Sequence, residues 1–169
     1  METTPRPRTT NPTTNPATEA PARHYRAPGW FTRNVFNKLI GAMTKAGVSM
    51  RGSRILAVKG RRSGQWRTIP VNPLTLGSER FLVAPRGETE WVRNIRVAGG
   101  GTLRLGRKIE AITVVETADA DKATVLREYL RRWKAEVGVF FDGVGPDSSD
   151  AELAAIAHRH PVFRVTPRS

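Results

Sequence analysis

From Gly52 onward the chain is cut into short β-prone runs, and turn residues interrupt each run before it grows long. Arg54–Lys59 ends at the turn GRRSG, Trp66–Val71 and Leu74–Leu76 lead to LGSER, and Arg80–Ala84 follows. Thr102–Leu105 and Lys108–Glu116 flank Gly106-Arg107 with an alternation that suits one buried face, and His160–Thr166 supplies a last strand. Six or so short strands with few helices indicate a mainly β fold with flanking α, a small antiparallel barrel.

The helical segments are placed by their apolar spacing. Glu88–Ala98 carries Trp91, Ile95 and Val97 or Ala98 toward the interior, and Gly99-Gly100-Gly101 then breaks the chain. Asp119–Val137 sets Leu126, Tyr129, Leu130, Trp133 and Val137 in register behind Asp119 as N-cap. Ser149 with Glu152 is the capping-box pattern before Leu153–His158. Upstream, Trp30–Gly47 places Phe31, Val35, Phe36, Leu39, Ile40 and Met43 on one stripe, with Arg33, Asn37, Lys38 and Lys45 off it. Such an amphipathic cationic helix packs on a core, caps a ligand pocket or lies against an anionic membrane surface.

Residues 1–22 hold seven Thr and five Pro and offer little apolar surface to offset the entropy of ordering. They are expected to be a disordered tail ahead of a single domain over residues 23–169 that includes helix 30–47. With no apolar centre for a signal peptide and no uncharged run long enough to span a bilayer, a cytoplasmic location is expected. Contact with the inner face of the membrane through helix 30–47 stays open. Zero Cys excludes disulfides and thiolate metal sites, and three scattered His make a poor ligand set, so no metal is implied.

The net charge of +13 is concentrated. Ala20 to Ser78 contains no Asp or Glu but eleven cations, whereas fifteen basic residues face thirteen acidic ones from Glu79 to the end. Such confinement points to a localised anionic partner, beside the plainer alternative of solubility or loose attraction to any polyanion. The densest part is Lys59 to Arg67, with four cations. Like charges repel in a turn unless an anion compensates them. Gly60 and Gly64 let backbone approach an oxyanion, Ser63 offers its hydroxyl and amide, and Arg61, Arg62 and Arg67 supply forked donors, all suited to phosphate. The alternative is a surface turn whose arginines point into water. Neither the Gly-x-x-x-x-Gly-Lys-Ser/Thr loop nor a Gly-x-Gly-x-x-Gly after a strand is present.

Three motifs in order, Gly60-Arg-Arg-Ser-Gly-Gln-Trp-Arg-Thr-Ile-Pro70, Phe81-Leu-Val-Ala-Pro-Arg-Gly87 and Trp91-Val-Arg-Asn-Ile95, resemble the deazaflavin-dependent nitroreductase family. The resemblance covers about Arg54 to Glu116. It implies a split β-barrel related to flavin-mononucleotide-binding oxidoreductases and, as cofactor, coenzyme F420, a 5-deazaflavin with a phosphate and an oligoglutamate tail. Carried over by motif, Arg61, Arg62, Ser63 and Arg67 would hold phosphate and tail, with Gly64 and Gln65 beside them. Pro70 and Val71 would line the ring site, Val83, Ala84, Pro85, Arg86 and Gly87 would meet the ring or its side chain, and Trp91 and Asn94 would close it. The departures are Pro85 where Ser is common, only Glu88-Thr89-Glu90 before Trp91, and Asn72 where some nitroimidazole-reducing members carry Tyr.

Hydride transfer from a reduced deazaflavin asks little acid–base chemistry of the protein, so no triad is expected and the weak proton-donor candidates are Asn72 and Tyr25. The expected activity is reduction of a quinone-like, nitro or other electron-poor small molecule. The alternatives are a non-catalytic carrier of F420 or flavin, FMN in place of F420, and a basic nucleic-acid-binding module. The last would want aromatics exposed among the cations, and only Trp66 interrupts the basic turn. A homodimer is left open.

Overall fold

The computed structural model describes residues 52–168. The Thr/Pro-rich tail, Tyr25 and the segment Trp30–Gly47 lie outside the described residues. Strands β1 (Arg54–Lys59), β2 (Trp66–Val71), β3 (Leu74–Leu76), β4 (Glu79–Val83), β5 (Gly100–Leu105), β6 (Lys108–Glu116) and β7 (Val162–Pro167) form one sheet in the order β2-β1-β5-β6-β7-β4-β3. Every neighbouring pair is antiparallel. Helices α1 (Glu90–Ala98), α2 (Lys122–Val137) and α3 (Asp150–Ala157) flank it. This is the mainly β, split-barrel architecture expected from the sequence, with seven strands where about six were expected.

Strand alternation divides the apolar residues between two faces. Leu56 and Val58 of β1, Leu103 of β5, Ile112 of β6, Leu82 of β4, and Phe163 and Val165 of β7 share the inner face with Val92 and Ile95 of α1. Phe81 and Val83 of β4 and Val162 of β7 face outward, where Leu126, Tyr129, Leu130 and Trp133 of α2 and Leu153 of α3 cover them. Helix α1 follows β4 in the chain yet packs on β1 and β5, and its Trp91 meets Phe163 of β7 at a ring separation of 5.8 Å. A helix touching both sides of the sheet requires the sheet to curl around it.

Local corrections follow from that packing. Helix α1 starts at Glu90, after Thr89, and buries Val92, Asn94 and Ile95, while Val97 and Ala98, one of which was expected inside, are both exposed, Val97 by 70%. The three glycines do not simply break the chain. Gly99 caps α1 in the left-handed region at φ 65°, and Gly100 and Gly101 already belong to β5. A Cβ on Gly100 would lie 2.1 Å from the Ile112 carbonyl oxygen and one on Gly101 2.3 Å from that of Ala57, so close strand approach requires glycine at both. Asp119–Asp121 is a 3₁₀ turn, and α2 starts at Lys122. The capping box forms as expected: Glu152 N–H donates to Ser149 Oγ at 3.3 Å and Ser149 N–H donates to Glu152 Oε2 at 2.8 Å.

Candidate functional site

Lys59 pairs with Trp66 across β1 and β2, so Gly60–Gln65 must reverse the chain. Gly64 N–H donates to the Gly60 carbonyl and Gly60 N–H to the Gln65 carbonyl, both at 2.8 Å, which closes the loop on itself. Gly64 sits at φ 65°, a conformation that costs other residues. Ser63 Oγ accepts from Gln65 N–H at 3.3 Å. Sequence places the cations in the loop; this hydrogen bonding fixes the backbone that carries them.

The arginines of the loop do different things. Arg61 is pinned to α1: its backbone N–H donates to Asn94 Oδ1 at 3.1 Å, its Nη1 to the same oxygen at 3.0 Å, and Nη1 to Glu90 Oε2 at 2.7 Å. Asn94 is only 5% exposed, so its carbonyl oxygen needs these donors. Hydrogen bonding from Arg61 holds the Glu90 carboxyl below the usual glutamate range, with the fields of Arg93 and Arg62 adding to it, and the Arg61 guanidinium is raised in turn. Arg62 and Arg67 are exposed, and among the described residues neither has a carboxylate partner. Arg67 passes beside Gly60, where a Cβ would lie 3.9 Å from its Cγ.

The second expected element, Ala84–Gly87, is held from the C-terminal segment. Ala84 N–H donates to the Pro161 carbonyl at 2.9 Å. His160 Nδ1 lies 3.0 Å from the Pro85 carbonyl, which can only accept, so Nδ1 carries the proton. The His160 ring stacks on Phe141 at 4.1 Å, and burial pushes its pKa down. A Cβ on Gly87 would lie 2.9 Å from the Arg159 carbonyl oxygen. Arg86 is exposed, its guanidinium 5.1 Å from the Phe140 ring centroid. Just beyond, Thr89 Oγ1 is buried with no partner among the described residues.

Placement separates residues that the sequence sets side by side. Val71 joins the inner core while Pro70 faces outward, and Ala84 joins the inner core while Val83 packs against the helices outside. Val83 is therefore a core residue of the α2–α3 side. Asn72 accepts from Ser53 Oγ at 2.6 Å. Asn94 and Glu90 of α1 meet Arg61 of the loop and the field of Arg62 reaches Glu90, whereas Trp91 turns to Phe163 of β7.

The same loop borders a cleft that sequence reasoning did not assemble. About 710 Å³ in volume, it is lined by Lys59, Gly60, Arg61, Gly64 and Trp66, by Val97–Gly101, by Ala111–Thr113 and by Arg168. Lys59 Nζ stands 5.7 Å from the centroid of a Trp66 ring. Arg168 arrives because its N–H donates to the Ala111 carbonyl at 2.9 Å, continuing the β6–β7 ladder past Pro167. The cationic loop and the triple glycine were its sequence signals, though nothing local joins the two. Among the described residues no group of His, Cys, Asp and Glu could hold a metal ion, and no helix is long and apolar enough to cross a membrane.

The family model described as F420H(2)-dependent quinone reductase matches residues 31–143. Among solved structures, one described as an F420-H2 dependent reductase is 16% identical at TM-score 0.49, covering 69% of this chain and 95% of its own. A pyridoxamine 5'-phosphate oxidase candidate from Listeria innocua is 10% identical at TM-score 0.44, covering 80% and 94%. A conserved hypothetical protein from Mycobacterium tuberculosis is 13% identical at TM-score 0.46, covering 77% and 80%. No curated protein matches the chain in sequence.

Proposed function

The chain belongs to the F420H2-dependent quinone reductase family, an oxidoreductase family whose cofactor is coenzyme F420, and on that premise we propose that it reduces a quinone-like, nitro or other electron-poor acceptor at a site built on the Gly60–Arg67 loop. The observation that carries this reading is the division of labour among the loop's arginines. Arg61 is committed to Asn94 and Glu90, whereas Arg62 and Arg67 stand exposed around a closed glycine turn.

A phosphate-bearing deazaflavin fits that donor set. Forked guanidinium groups grip phosphate oxygens by paired charge-assisted bonds, and the pinned Arg61 gives them a rigid base on α1. Trp91 is half-buried against Phe163, and the Ala84–Gly87 turn is tied to His160 and Pro161, so both are held in place for the ring end of such a ligand.

When bound, the reduced deazaflavin supplies the hydride. The protein's residues supply orientation and exclusion of water. Arg62 and Arg67 fix the anionic end, so the ring's position is set by a salt-sensitive anchor, and Trp91 and the apolar inner face keep the surroundings dry.

The test is binding and turnover together. Wild-type protein is expected to bind F420 more tightly than flavin mononucleotide and to oxidise the reduced form with menadione as acceptor. Replacing Arg62 and Arg67 together by Ala should weaken F420 binding by about 2–4 kcal/mol with little loss of thermal stability. Binding without turnover by any electron-poor acceptor would turn the assignment to a carrier. Unchanged affinity in the double variant would remove the anchor from this loop.

A further inference from the structure

The β5–β6 hairpin ends in five successive exposed residues, Leu105 to Ile109, at the end of β1 opposite to the Gly60–Arg67 loop. Leu105 is 51% exposed and Ile109 45%, although both are large aliphatic side chains. Leu105 pairs with Lys108 and Arg104 with Ile109, so strand alternation gives each face of the tip one aliphatic and one cationic side chain. Arg104 Nε donates to the Gly106 carbonyl at 2.7 Å, which ties the turn down. Arg107 and Lys108 have no carboxylate partner among the described residues. Glu110, the next residue, lies opposite Leu103 on the inner face, where Arg80 Nη1 and Nη2 donate to its two oxygens at 2.8 and 2.7 Å. Its charge is thus matched inside the barrel, and the acid-free tip presents cations and aliphatics to solvent.

A narrow tip with aliphatics on both faces has no single flat patch to offer a globular partner, whereas a fluid bilayer can close around both faces at once. Cations beside them match anionic headgroups, and their stems lie along the acyl boundary while the charged ends stay in water. We propose that the hairpin tip Leu105–Ile109 docks this protein on an anionic lipid surface. Binding at such an interface grows with buried apolar area and with attraction to anionic lipid, and the tip supplies both. Because Ile55 pairs with Arg104 and Arg54 with Val71, docking holds the Val71 end of β2 toward lipid and the Gly60–Arg67 loop toward water. Vesicle binding needs no cofactor, so failure of the docking tip and failure of the loop reading are separate results.

The chain has no cysteine, so a single one placed by Ile109→Cys carries an environment-sensitive fluorophore at one position. Full-length protein is mixed with vesicles of phosphatidylcholine alone or of phosphatidylcholine with phosphatidylglycerol, and its partition is followed by co-sedimentation. Binding is expected with the anionic vesicles only, accompanied by a blue shift of the probe, whereas the same probe at Arg132→Cys on exposed α2 surface should not shift. In unlabelled protein, Arg107→Gln with Lys108→Gln should weaken partition about 30-fold at low salt. Leu105→Gln with Ile109→Gln should weaken it about 10-fold, a loss that persists at high salt because it is apolar in origin. Arg132→Gln with Lys134→Gln, the same loss of charge on α2, should leave partition nearly unchanged, and all three variants should keep the wild-type thermal midpoint. No binding to anionic vesicles, or binding without a shift at the Ile109 site, overturns the docking tip. So does equal partition of wild type and both tip variants, or an oligonucleotide that shifts the probe as anionic vesicles do.

Discussion

The outer face of the sheet has two halves that obey opposite rules. Over β3, β4 and β7 it presents Phe81, Val83 and Val162, and α2 and α3 cover them with Leu126, Tyr129, Leu130, Trp133 and Leu153. Over β2, β1, β5 and β6 it presents Lys59, Trp66, Gly100, Ala111 and Thr113, and there it opens into the cleft. One sheet and one alternation thus yield a surface that stabilises and a surface that can bind. Large apolar residues supply burial, at roughly 25 cal/mol per Å² removed from water. Glycine and small residues forgo that burial and leave room.

The comparison breaks if the covered half proves dispensable. Phe141 is fully buried among α2, α3 and the His160 ring, and Phe141→Ala should cost about 3–5 kcal/mol in a denaturant titration. A loss below about 1 kcal/mol would mean the helices are loosely seated. The open half should be sensitive for a different reason. Gly101→Ala drives a Cβ onto the Ala57 carbonyl, which as backbone cannot step aside, and should cost about 1–3 kcal/mol by parting β1 from β5. Near-native stability in that variant would show that the strands can separate freely there.

The smallest effect concerns the link between the covered half and the Pro85 turn. Burial depresses the pKa of His160, so below the ordinary histidine value of about 6.5 the unfolded chain takes up this proton before the folded one does. Stability from this group is therefore complete above that value and falls as pH drops toward the depressed folded pKa. The unfolding midpoint of wild type should decline over that window, and His160→Phe, which keeps a ring against Phe141, should flatten the decline. An identical pH slope in the variant would assign it to other groups. Asp142 and Arg159, which face His160 with opposite influence on its charge, are paired to each other at 2.6 Å and exposed.

Much of the strand layout was legible because period-two alternation and turn residues are local properties. β1, β2 and β3 have the boundaries that their apolar runs and glycine turns predict. The capping box of α3 was legible for the same reason: Ser149 and Glu152 satisfy each other within one turn. The register of α1 was less so, because Trp91, Val92, Ile95 and Val97 offer two overlapping stripes and only docking on β1 and β5 selects Val92 and Ile95. Among the cofactor candidates, the cationic loop was visible as composition. That Arg61 is a strut and not a free donor depends on Asn94 and Glu90, far along the chain, being brought to it by α1.

The sequence by itself determined a mainly β chain with an acid-free cationic stretch and a glycine-bearing turn at its densest point, because charge and backbone freedom travel with each residue wherever it goes. Strand alternation parts neighbours such as Pro70 and Val71, but tertiary structure alone decided which core each side joins, and that Lys59, Gly100, Gly101 and Arg168 meet around one cleft. The physical reason is that a cleft wall is made by strand pairing between distant segments, and no local preference encodes which distant segment arrives.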